Sequence, residues 1–469
     1  MGIGRTLHET RISRRDACTG GAAFLTGAFL QSETQAQTLR VRMDIVTFTK
    51  DASKLATFEA ALKEMQDRSR IDPEDPRGWL RNARAHARYC PNDPQDPDQV
   101  HYCYWFLAWH RAYIWVTERK IREMSGDQSF SYPYWNWSSD RHIPQAFSRS
   151  GSPLAQAIRY TPSRGLRNDE VGYRPDDPRL KALGVAALDS RFFIATSPGR
   201  IARSFGGIAR PNSSGAYGNN ALENTPHGPV HVYVGGENAQ GEAGDMTDFE
   251  TAARDPIFFA HHGNLDRLWE KWRRDPARKG TEPASDAFLN HLFPFIWLDG
   301  SVIHVRAGDV LDTTALGYVY DYLEVFRPEA PIVVAGPQGE TSALPSVGSE
   351  KLRVPVPTEG VTPEGERKIL EIYDIEAPER VMTVGVYLRT TQTPPGEPEM
   401  SVGSFSAVRS GGHVSWPSQT LSFDITDAAR HFAGQEIIVD LIPHRIRAEG
   451  AEESYPRLKY GGMRIVTEK

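Results

Sequence analysis

The spacing of hydrophobic side chains changes several times along this 469-residue chain. Residues 38–48, "TLRVRMDIVTF", alternate between apolar and polar side chains and predict a strand. Residues 53–70 and 110–124 repeat apolar side chains at helical spacing and predict two amphipathic helices. A third helix is expected over about residues 255–273, where an Asp-Pro pair has the pattern of a helix start.

The chain beyond residue 137 contains segments with a different pattern. Residues 138–226 are rich in Ser, Pro, Gly, Arg and Asn and predict long loops with short helices. Seven prolines predict a linker over residues 328–363. Segments such as "ILEIYDI" and "VMTVGVYL" then alternate with a period of two, which predicts an all-β sandwich or barrel domain over residues 364–469.

The first 36 residues have the pattern of an export signal. Arg14 and Arg15 precede a short apolar run, Ala22–Leu30, and small residues near Ala36 offer a cleavage point. The run is too short to span a bilayer. The segment resembles a twin-arginine signal, so a periplasmic or secreted protein without a membrane anchor is expected. The alternative is a disordered basic leader.

Charge and cysteine content exclude several function classes. The net charge of -6 and the absence of a dense basic tract argue against nucleic-acid binding. The three cysteines, Cys18, Cys90 and Cys103, are too few for a disulfide framework or a cysteine-built zinc module. Aromatic residues concentrate between Tyr89 and Trp137, which is typical of a large core and also of a ligand site.

Histidines form one candidate metal group in the second half of the helical region. His227 and His231 lie four residues apart, so both rings lie on one face of a helix. Gly228 occupies the position of the glutamate in a zinc-protease HExxH motif, so protease chemistry is not indicated. His262 lies on the third predicted helix, and Asp266 one turn later is expected to be the carboxylate partner of a nearby imidazole.

A second group consists of His86, His101 and His110. His110 begins the second predicted helix, and His101 precedes it by nine residues, so the two rings converge only if His101 lies outside the helix. Three imidazoles without a carboxylate or thiolate favour copper or zinc over magnesium or calcium. Two such groups favour a pair of three-coordinate copper ions with an open face for O2.

At these residues the chain resembles the type-3 copper family of tyrosinases, catechol oxidases and haemocyanins. "WFLAWHRAYIWVTERKI" resembles the first copper motif of plant-type polyphenol oxidases, and "DPIFFAHHGNLDRLWEKW" resembles the second. The likeness extends from about Leu39 to Tyr322. It implies a mainly α catalytic domain over residues 37–327, with a four-helix bundle around a dicopper centre. The plant leader and N-terminal disulfides are absent, which favours a bacterial member.

The resemblance implies a role for each motif residue. Copper A would be held by His86, His101 and His110, and copper B by His227, His231 and His262. His261, next to His262 in the chain, would then pack around the ligands without binding copper itself. The resemblance also implies a thioether cross-link between Cys90 and His101, although a Cys90–Cys103 disulfide is the alternative.

Residues around the coppers also acquire implied roles. Phe249 would be an aromatic gate over copper A, and Glu223 would hold a water molecule near the coppers. Gly228 and Val232 would line the substrate mouth. At a distance from the coppers, Arg42 and Tyr320 resemble a family pair in which the arginine stacks on the tyrosine ring.

The implied activity is that of a copper oxidoreductase acting on small phenols. It would use O2 to oxidise o-diphenols to o-quinones and, as a monooxygenase, hydroxylate monophenols; Gly228, where relatives often have asparagine, favours diphenol oxidation. The alternative is a haemocyanin-like reversible O2 binder, but such carriers usually repeat the unit that occurs once here. The C-terminal domain resembles the proenzyme domain that covers the plant active site, which implies a latent enzyme; a plain stabilising domain is the alternative.

Overall fold

The computed structural model describes most of the chain beyond the export signal. The described residues are 39–91, 96–210, 215–278, 281–327, 346–355, 366–394, 399–410, 413–415, 420–444, 446 and 455–468. The predicted export signal and most of the predicted linker therefore lie outside the described residues. A mainly helical part, residues 39–327, precedes a strand-rich β part, residues 346–468.

The α-helices lie mostly in the helical part. They are α1 (Ile45–Phe48), α2 (Ala52–Ile71), α3 (Trp79–Tyr89), α4 (Phe106–Ser125), α5 (Gln145–Ser148), α6 (Pro178–Leu183), α7 (Gly228–Gly235), α8 (Ile257–Arg274), α9 (Asp286–Leu289) and α10 (Thr426–His431). Short 3-10 helices and one π-helical turn, Glu223–His227, connect them through the loop-rich region that the composition predicted.

The first predicted strand is largely replaced by a helix. Only Arg40–Arg42 form a strand, β1, and α1 follows at Ile45. The reason is local, because the side chain of Asp44 accepts a hydrogen bond from the Val46 N–H and caps the helix. The prediction of a helix over residues 53–70 is confirmed, since α2 begins after Asp51, whose side chain accepts from two backbone N–H groups of the first turn.

Helix α4 begins one turn earlier than the sequence pattern predicted. It starts at Phe106, so His110 lies in its second turn and does not begin the helix. It ends at Gly126, whose φ of 73° is accessible to glycine without strain. Nearly all of α4 is buried, and it packs against α8. The aromatic-rich stretch therefore forms core, with Trp109 and Trp135 fully buried.

The strands of the helical part are short. They are β1 (Arg40–Arg42), β2 (Ile194–Ala195), β3 (Gly207–Ile208), β4 (Leu292–Ile296), β5 (Val302–Arg306) and β6 (Tyr318–Tyr320). β1 pairs in parallel with β6, placing Arg40 beside Tyr318 and Arg42 beside Tyr320. This pairing joins the start of the helical part to its end.

The β part contains two antiparallel sheets. Its strands are β7 (Gly348–Arg353), β8 (Arg367–Tyr373), β9 (Met382–Thr390), β10 (Met400–Ser410), β11 (His413–Ser415), β12 (Thr420–Asp424), β13 (Glu436–Pro443) and β14 (Gly462–Glu468). One sheet has the order β11-β10-β9-β13-β7 and the other β12-β8-β14. Leu370 and Ile372 of one sheet share an apolar core with Val384 and Val386 of the other.

Strand β7 lies inside the predicted linker, residues 328–363, so that prediction was too broad. β7 pairs with β13 from Gly348 to Arg353. Its side chains alternate between exposed and half-buried positions at the sheet edge, which explains why its polar composition did not indicate a strand.

The β part lies directly against the helical part. Strand β10 packs on α7, the hydroxyl of Thr225 donates to the Ser404 carbonyl at 2.6 Å, and the Phe249 N–H donates to the Arg409 carbonyl at 2.9 Å. Residues 39–469 accordingly form one compact unit. Among the described residues, no helix combines the length and apolar character that a membrane crossing requires.

Candidate metal centre

Three histidines and a cysteine of the first predicted group converge. His86 lies in the last turn of α3, Cys90 follows that helix, His101 lies in the turn before α4, and His110 lies on α4. One candidate ligand atom from each lies within 4.8 Å of the others, and all four residues are buried. His101 therefore lies outside the helix, which allows its ring to meet that of His110.

Backbone carbonyl groups orient the rings of this first group. Nδ1 of His86 lies 2.7 Å from the Phe249 carbonyl, and Nδ1 of His110 lies 2.7 Å from the Phe106 carbonyl. If each Nδ1 carries the proton and donates it, each Nε2 presents a lone pair. The Nε2 atoms of His86, His101 and His110 are buried and have no hydrogen-bond partner among the described residues. This is the arrangement that a metal-binding imidazole requires.

The second group combines four histidines from two helices and from the π-helical turn that precedes the first of them. His227 ends the π-helical turn, His231 lies on α7, and His261 and His262 lie on α8. One ring nitrogen of each lies within 4.8 Å of the others. Nδ1 of His231 lies 2.7 Å from the Met246 carbonyl, so its Nε2 is directed to the centre of the group.

His261 and His262 differ in what their rings contact. Nε2 of His262 lies 3.3 Å from Nε2 of His231, too close for two protonated nitrogens but suitable for two ligands of one ion. The His262 ring also stacks on His110, with centroids 4.1 Å apart and planes at 5°, so it lies between the two groups. The His261 ring lies against His227 at 5.7 Å, and both its nitrogens are buried without a partner among the described residues.

Burial keeps these imidazoles neutral. It lowers the pKa of His86 to about 3 and that of His231 to about 4, and it holds the pKa of His101, His110 and His262 well below the usual 6.5. A neutral imidazole is the form that binds a metal ion. The donor set of buried, neutral imidazole nitrogens fits two copper ions, one in each group.

Cys90 and Cys103 differ in position although both are buried free thiols. Cys90 belongs to the group that contains His101, and burial raises its pKa well above 9.0. The Cys103 thiol instead faces backbone carbonyls, with Sγ 3.6 Å from the Gln99 oxygen and 3.5 Å from the Val100 oxygen. The structure contains no disulfide between the two.

The carboxyl group of Glu223 is fixed against His101. Its Oε1 accepts the Tyr102 N–H at 3.1 Å and lies 3.3 Å from Nδ1 of His101, while its Oε2 accepts the Asn220 side-chain amide at 2.6 Å. Tyr102 adopts a φ of 62°, a left-handed conformation that aims this N–H at the carboxylate. Burial raises the pKa of Glu223 to about 8.

A cavity of about 390 Å³, including space open to solvent, lies beside both groups. It is lined by His101, Tyr102, Asn219, His227, Gly228, His231, Met246, Thr247, Phe249, Ser406 and Val408. The Phe249 ring lies 5.1 Å from the ring of His101 and 6.3 Å from that of His86. The predicted gate residue is therefore placed next to the first histidine group.

Val232, predicted to line the substrate mouth, is not among the residues that line this cavity in the intact chain. Val232 is fully buried in a small apolar cluster with Val381 and Ile446 of the β part. Gly228 does line the cavity, and a Cβ on it would lie 3.4 Å from the Cβ of Ser406. Both positions face the β part, Gly228 at Ser406 and Val232 at Val381 and Ile446.

Sequence reasoning did not find Ser406 and Val408, which bring strand β10 to the cavity. Their surroundings, "SVGSFSAVRS", read as an ordinary strand with small side chains. A pattern of this kind carries no sign of which site the strand will cover, because that depends on how the β part docks.

Arg42 stacks on the ring of Tyr318 and not, as was predicted, on that of Tyr320. The Arg42 guanidinium lies 3.6 Å from the centre of the Tyr318 ring but 6.0 Å from that of Tyr320, whose hydroxyl it contacts at 3.3 Å. Strand alternation puts residues 318 and 320 on the same face, and the ring nearer to Arg42 is Tyr318. Arg42 also donates to Glu118 at 2.8 and 3.1 Å.

Asp266 likewise has a different partner from the one predicted. No hydrogen bond joins it to an imidazole among the described residues; instead it accepts from Arg42 at 2.9 Å and from the Tyr318 hydroxyl at 2.7 Å. Arg111 forms a further ion pair with it. Asp266 lies one turn further along α8 than His262, beside the buried arginines Arg42 and Arg111.

Comparison with known proteins agrees with this geometry. Residues 76–275 match the family model described as the common central domain of tyrosinase. Both histidine groups lie within the matched residues. The chain is therefore similar to tyrosinases over this central domain, and it is similar to chloroplastic polyphenol oxidases over longer stretches.

Individual relatives are similar over different lengths. Chloroplastic polyphenol oxidase E of Solanum lycopersicum is 31% identical over 280 residues, which are 58% of this chain and 47% of that protein. Chloroplastic polyphenol oxidase II of Ipomoea batatas is 29% identical over 399 residues, 76% of this chain and 65% of that protein. The chain thus spans about half to two thirds of the length of these relatives.

The fold extends the similarity through the β part. The structure of latent apple tyrosinase aligns with a TM-score of 0.64 at 23% identity, covering 92% of this chain and 98% of that one. Latent aurone synthase also aligns with a TM-score of 0.64, at 20% identity, over 92% of this chain and 90% of its own. A helical part followed by a strand-rich part is therefore an arrangement that other type-3 copper proteins share.

Proposed function

We propose that this chain is a polyphenol oxidase that uses O2 at a binuclear copper centre to oxidise small o-diphenols to o-quinones. One observation carries the proposal. Buried, neutral imidazoles from α3, α4, α7, α8 and the turn before α4 form two adjacent groups with ring nitrogens directed inward. No carboxylate belongs to either group among the described residues, which favours copper over harder metal ions.

The ligand assignment follows the free nitrogens. Copper A would be held by His86, His101 and His110, and copper B by His227, His231 and His262. His262 is preferred to His261 because its Nε2 faces that of His231 and its ring lies between the two groups. His261 would pack against His227 and restrict its rotation.

When bound, the copper pair would supply O2 binding and accept the two electrons that leave the diphenol. The chain supplies the surroundings. Phe249 would cover the first group and direct an aromatic substrate toward the second. Glu223, with its pKa raised to about 8 by burial, can hold a proton at Oε1 and contact His101 or a water molecule. The apolar lining would exclude bulk water from the quinone.

Diphenol oxidation is the principal activity that we propose, and monophenol hydroxylation would be the lesser one. Gly228 offers no side chain at the second histidine group to hold a deprotonating water beside Glu223. A Cβ on residue 228 would lie 3.4 Å from both the Glu223 carbonyl oxygen and the Cβ of Ser406.

We also propose a Cys90–His101 thioether. The free thiol of Cys90 in the same 4.8 Å group as His101 supports it, and Cys103 lies outside that group among the described residues. The bond would fix His101 in the turn before α4, where no helix backbone orients its ring.

The domain assignment extends this proposal. Residues 37–327 would be the catalytic domain, with a four-helix bundle formed by α3, α4, α7 and α8. The remaining linker and the β part, which we interpret as a sandwich of two sheets, would form a shield over the site. Ser406 and Val408 in the cavity wall support a latent enzyme. Residues 1–36 would direct export by the twin-arginine route, although the relatives above are named as chloroplastic.

Catechol oxidation tests the proposal. The copper-loaded full chain, before and after linker cleavage, is mixed with 4-methylcatechol and the quinone absorbance is followed. We expect turnover that disappears in His110→Ala and persists in His304→Ala, a variant at a histidine of β5 outside both groups. Reversible O2 binding without quinone formation would instead favour the haemocyanin-like carrier.

A further inference from the structure

Asn219 lies in the wall of the cavity beside His101 and His227. Its side-chain oxygen, Oδ1, is shielded from solvent and has no hydrogen-bond partner among the described residues. A buried amide oxygen without a partner costs stability, so its presence in a cavity wall calls for an explanation. Asn219 was not among the residues that the sequence motifs indicated.

Other polar side chains in the same wall already have partners. The Thr247 hydroxyl donates to the Gly236 carbonyl at 3.1 Å, and the Ser406 hydroxyl shares a hydrogen bond with Thr383 at 2.7 Å. The Asn219 amide therefore differs from these neighbours because its side-chain oxygen has no hydrogen-bond partner among the described residues, although the residue lines the cavity.

Its position in the chain suits a positioning role. Asn219 directly precedes Asn220, whose amide holds the Glu223 carboxylate and whose side-chain oxygen accepts the Glu223 N–H at 2.9 Å. This anchoring fixes the backbone next to Asn219. Gly228, which also lines the cavity, has no side chain of its own that could offer a second acceptor.

We propose that Oδ1 of Asn219 accepts a hydrogen bond from the hydroxyl group of a phenol in this cavity and thereby positions the phenolic oxygen beside the imidazoles. The inference rests on the proposed function, because it takes phenols as the substrate class. A neutral amide oxygen can accept this hydrogen bond without removing the proton. The contact selects molecules with a phenolic hydroxyl over aromatic ethers of the same shape.

Asn224 offers a matched control. Its Oδ1 is also buried without a partner among the described residues, but Asn224 lines a different cavity, together with Arg203 and Arg367. Its Nδ2 contacts the Asn219 carbonyl at 3.5 Å, so the two asparagines share a backbone segment. Asn224→Ala removes a similar amide and also its contact with the Asn219 backbone, so unchanged affinities in this variant would assign the effect to the Asn219 side chain itself.

Ligand binding without turnover tests the inference. The full chain is loaded with zinc, which imidazoles bind but which does not change its oxidation state. Calorimetry then measures the affinity for 4-methylphenol and for 4-methylanisole, with the linker intact and after cleavage. We expect Asn219→Ala to weaken 4-methylphenol binding about fivefold to tenfold, the usual effect of one lost hydrogen bond. Binding of 4-methylanisole, and both affinities of Asn224→Ala, should not change.

Three results would overturn the inference: unchanged 4-methylphenol affinity in Asn219→Ala, an equal loss for both ligands, or no measurable 4-methylphenol binding by the cleaved unsubstituted chain. A failure of the proposed function would be seen in a different experiment, as the absence of quinone formation by the copper-loaded unsubstituted chain. The zinc measurements do not depend on that result.

Discussion

His444 Nε2 lies 3.0 Å from Oδ2 of Asp169, across the contact between the β part and the helical part. The other ring nitrogen, Nδ1, lies 3.1 Å from Oε1 of Glu170. All three side chains are buried. Because a carboxylate can only accept, both nitrogens must donate, and His444 is an imidazolium at this contact. A buried positive charge thus joins the two parts of the chain.

The first prediction concerns pH. Burial lowers the pKa of His444, but Asp169 and Glu170 more than offset this and raise it above 6.5. Since the folded-state pKa is raised, the stabilisation is complete below about pH 6.5 and is lost as the pH rises through the folded-state value. We expect the free energy of unfolding, measured by urea titration, to fall over this range by more in the unsubstituted chain than in His444→Gln.

The charged groups around His444 do not produce the same pH dependence of the free energy of unfolding. Arg164, which pairs with Glu170 at 2.7 Å, and Arg167, which faces Asp169 at 3.7 Å, stay protonated over this range, and burial raises the pKa of the adjacent Tyr387. The control is His431→Gln on the exposed end of α10. A pH profile of His444→Gln identical to that of the unsubstituted chain would contradict the prediction.

A second prediction concerns Arg42. Its guanidinium is fully buried between Glu118 and Asp266. Arg42→Ala removes a positive charge that both buried carboxylates contact. Removing one partner of a buried ion pair typically lowers the free energy of unfolding by about 3–5 kcal/mol. Urea unfolding should show a loss of that size. Arg306→Ala, which removes a surface pair with Asp309, should cost less than about 1 kcal/mol, and equal losses in the two variants would refute the argument.

A third prediction separates His261 from His262. His262→Ala should lower the copper content from two ions to one per chain, because its Nε2 faces His231 in the second group. His261→Ala should retain both ions, with weaker binding at the second group. Elemental analysis after gel filtration measures the ratio. The opposite outcome would assign the ligand role to His261.

A fourth prediction concerns Cys90. After copper loading in air, the Cys90 and His101 peptides should be joined and the chain should lose two hydrogens, with O2 at the copper centre as the oxidant. Peptide mapping after reduction and alkylation detects the joined peptides. Cys103→Ser should retain the cross-link and Cys90→Ser should lack it. Separation of the peptides by reductant would show a disulfide instead.

The fifth prediction concerns the shield. A glutamate-specific protease can cut the linker after Glu329 or Glu340. We expect this cleavage to raise catechol oxidation about tenfold or more. If the β part docks over the site with a free energy of about 1.4 kcal/mol, only about a tenth of the uncut chains have an open site. The matched control carries Glu329→Gln and Glu340→Gln and should remain latent under the same treatment. Equal activity of cut and uncut chains would favour a plain stabilising domain.

Local patterns were sufficient for part of this fold. The helix over residues 53–70 and the position of His101 outside α4 were predictable, because apolar periodicity and a nine-residue spacing constrain the backbone directly. The strand-rich C-terminal part was predictable from its alternation for the same reason. The early end of β1 was missed because a single cap, Asp44, outweighed the strand pattern around it.

Tertiary structure decided the relations between distant segments. Whether Arg42 meets Tyr318 or Tyr320, and whether Asp266 faces an imidazole or an arginine, depends on how β1, β6 and α8 pack. Val232 moved from the expected mouth into a buried cluster because the β part docks on α7.

The sequence by itself determined the chemistry of the site, since residue type and spacing identify imidazole donors and the copper motifs around them. It did not determine what surrounds those donors. Asn219, Ser406 and the His444–Asp169 contact come from loops and strands far apart in the chain. Their proximity arises from the docking of two preformed surfaces, and no local periodicity encodes that geometry.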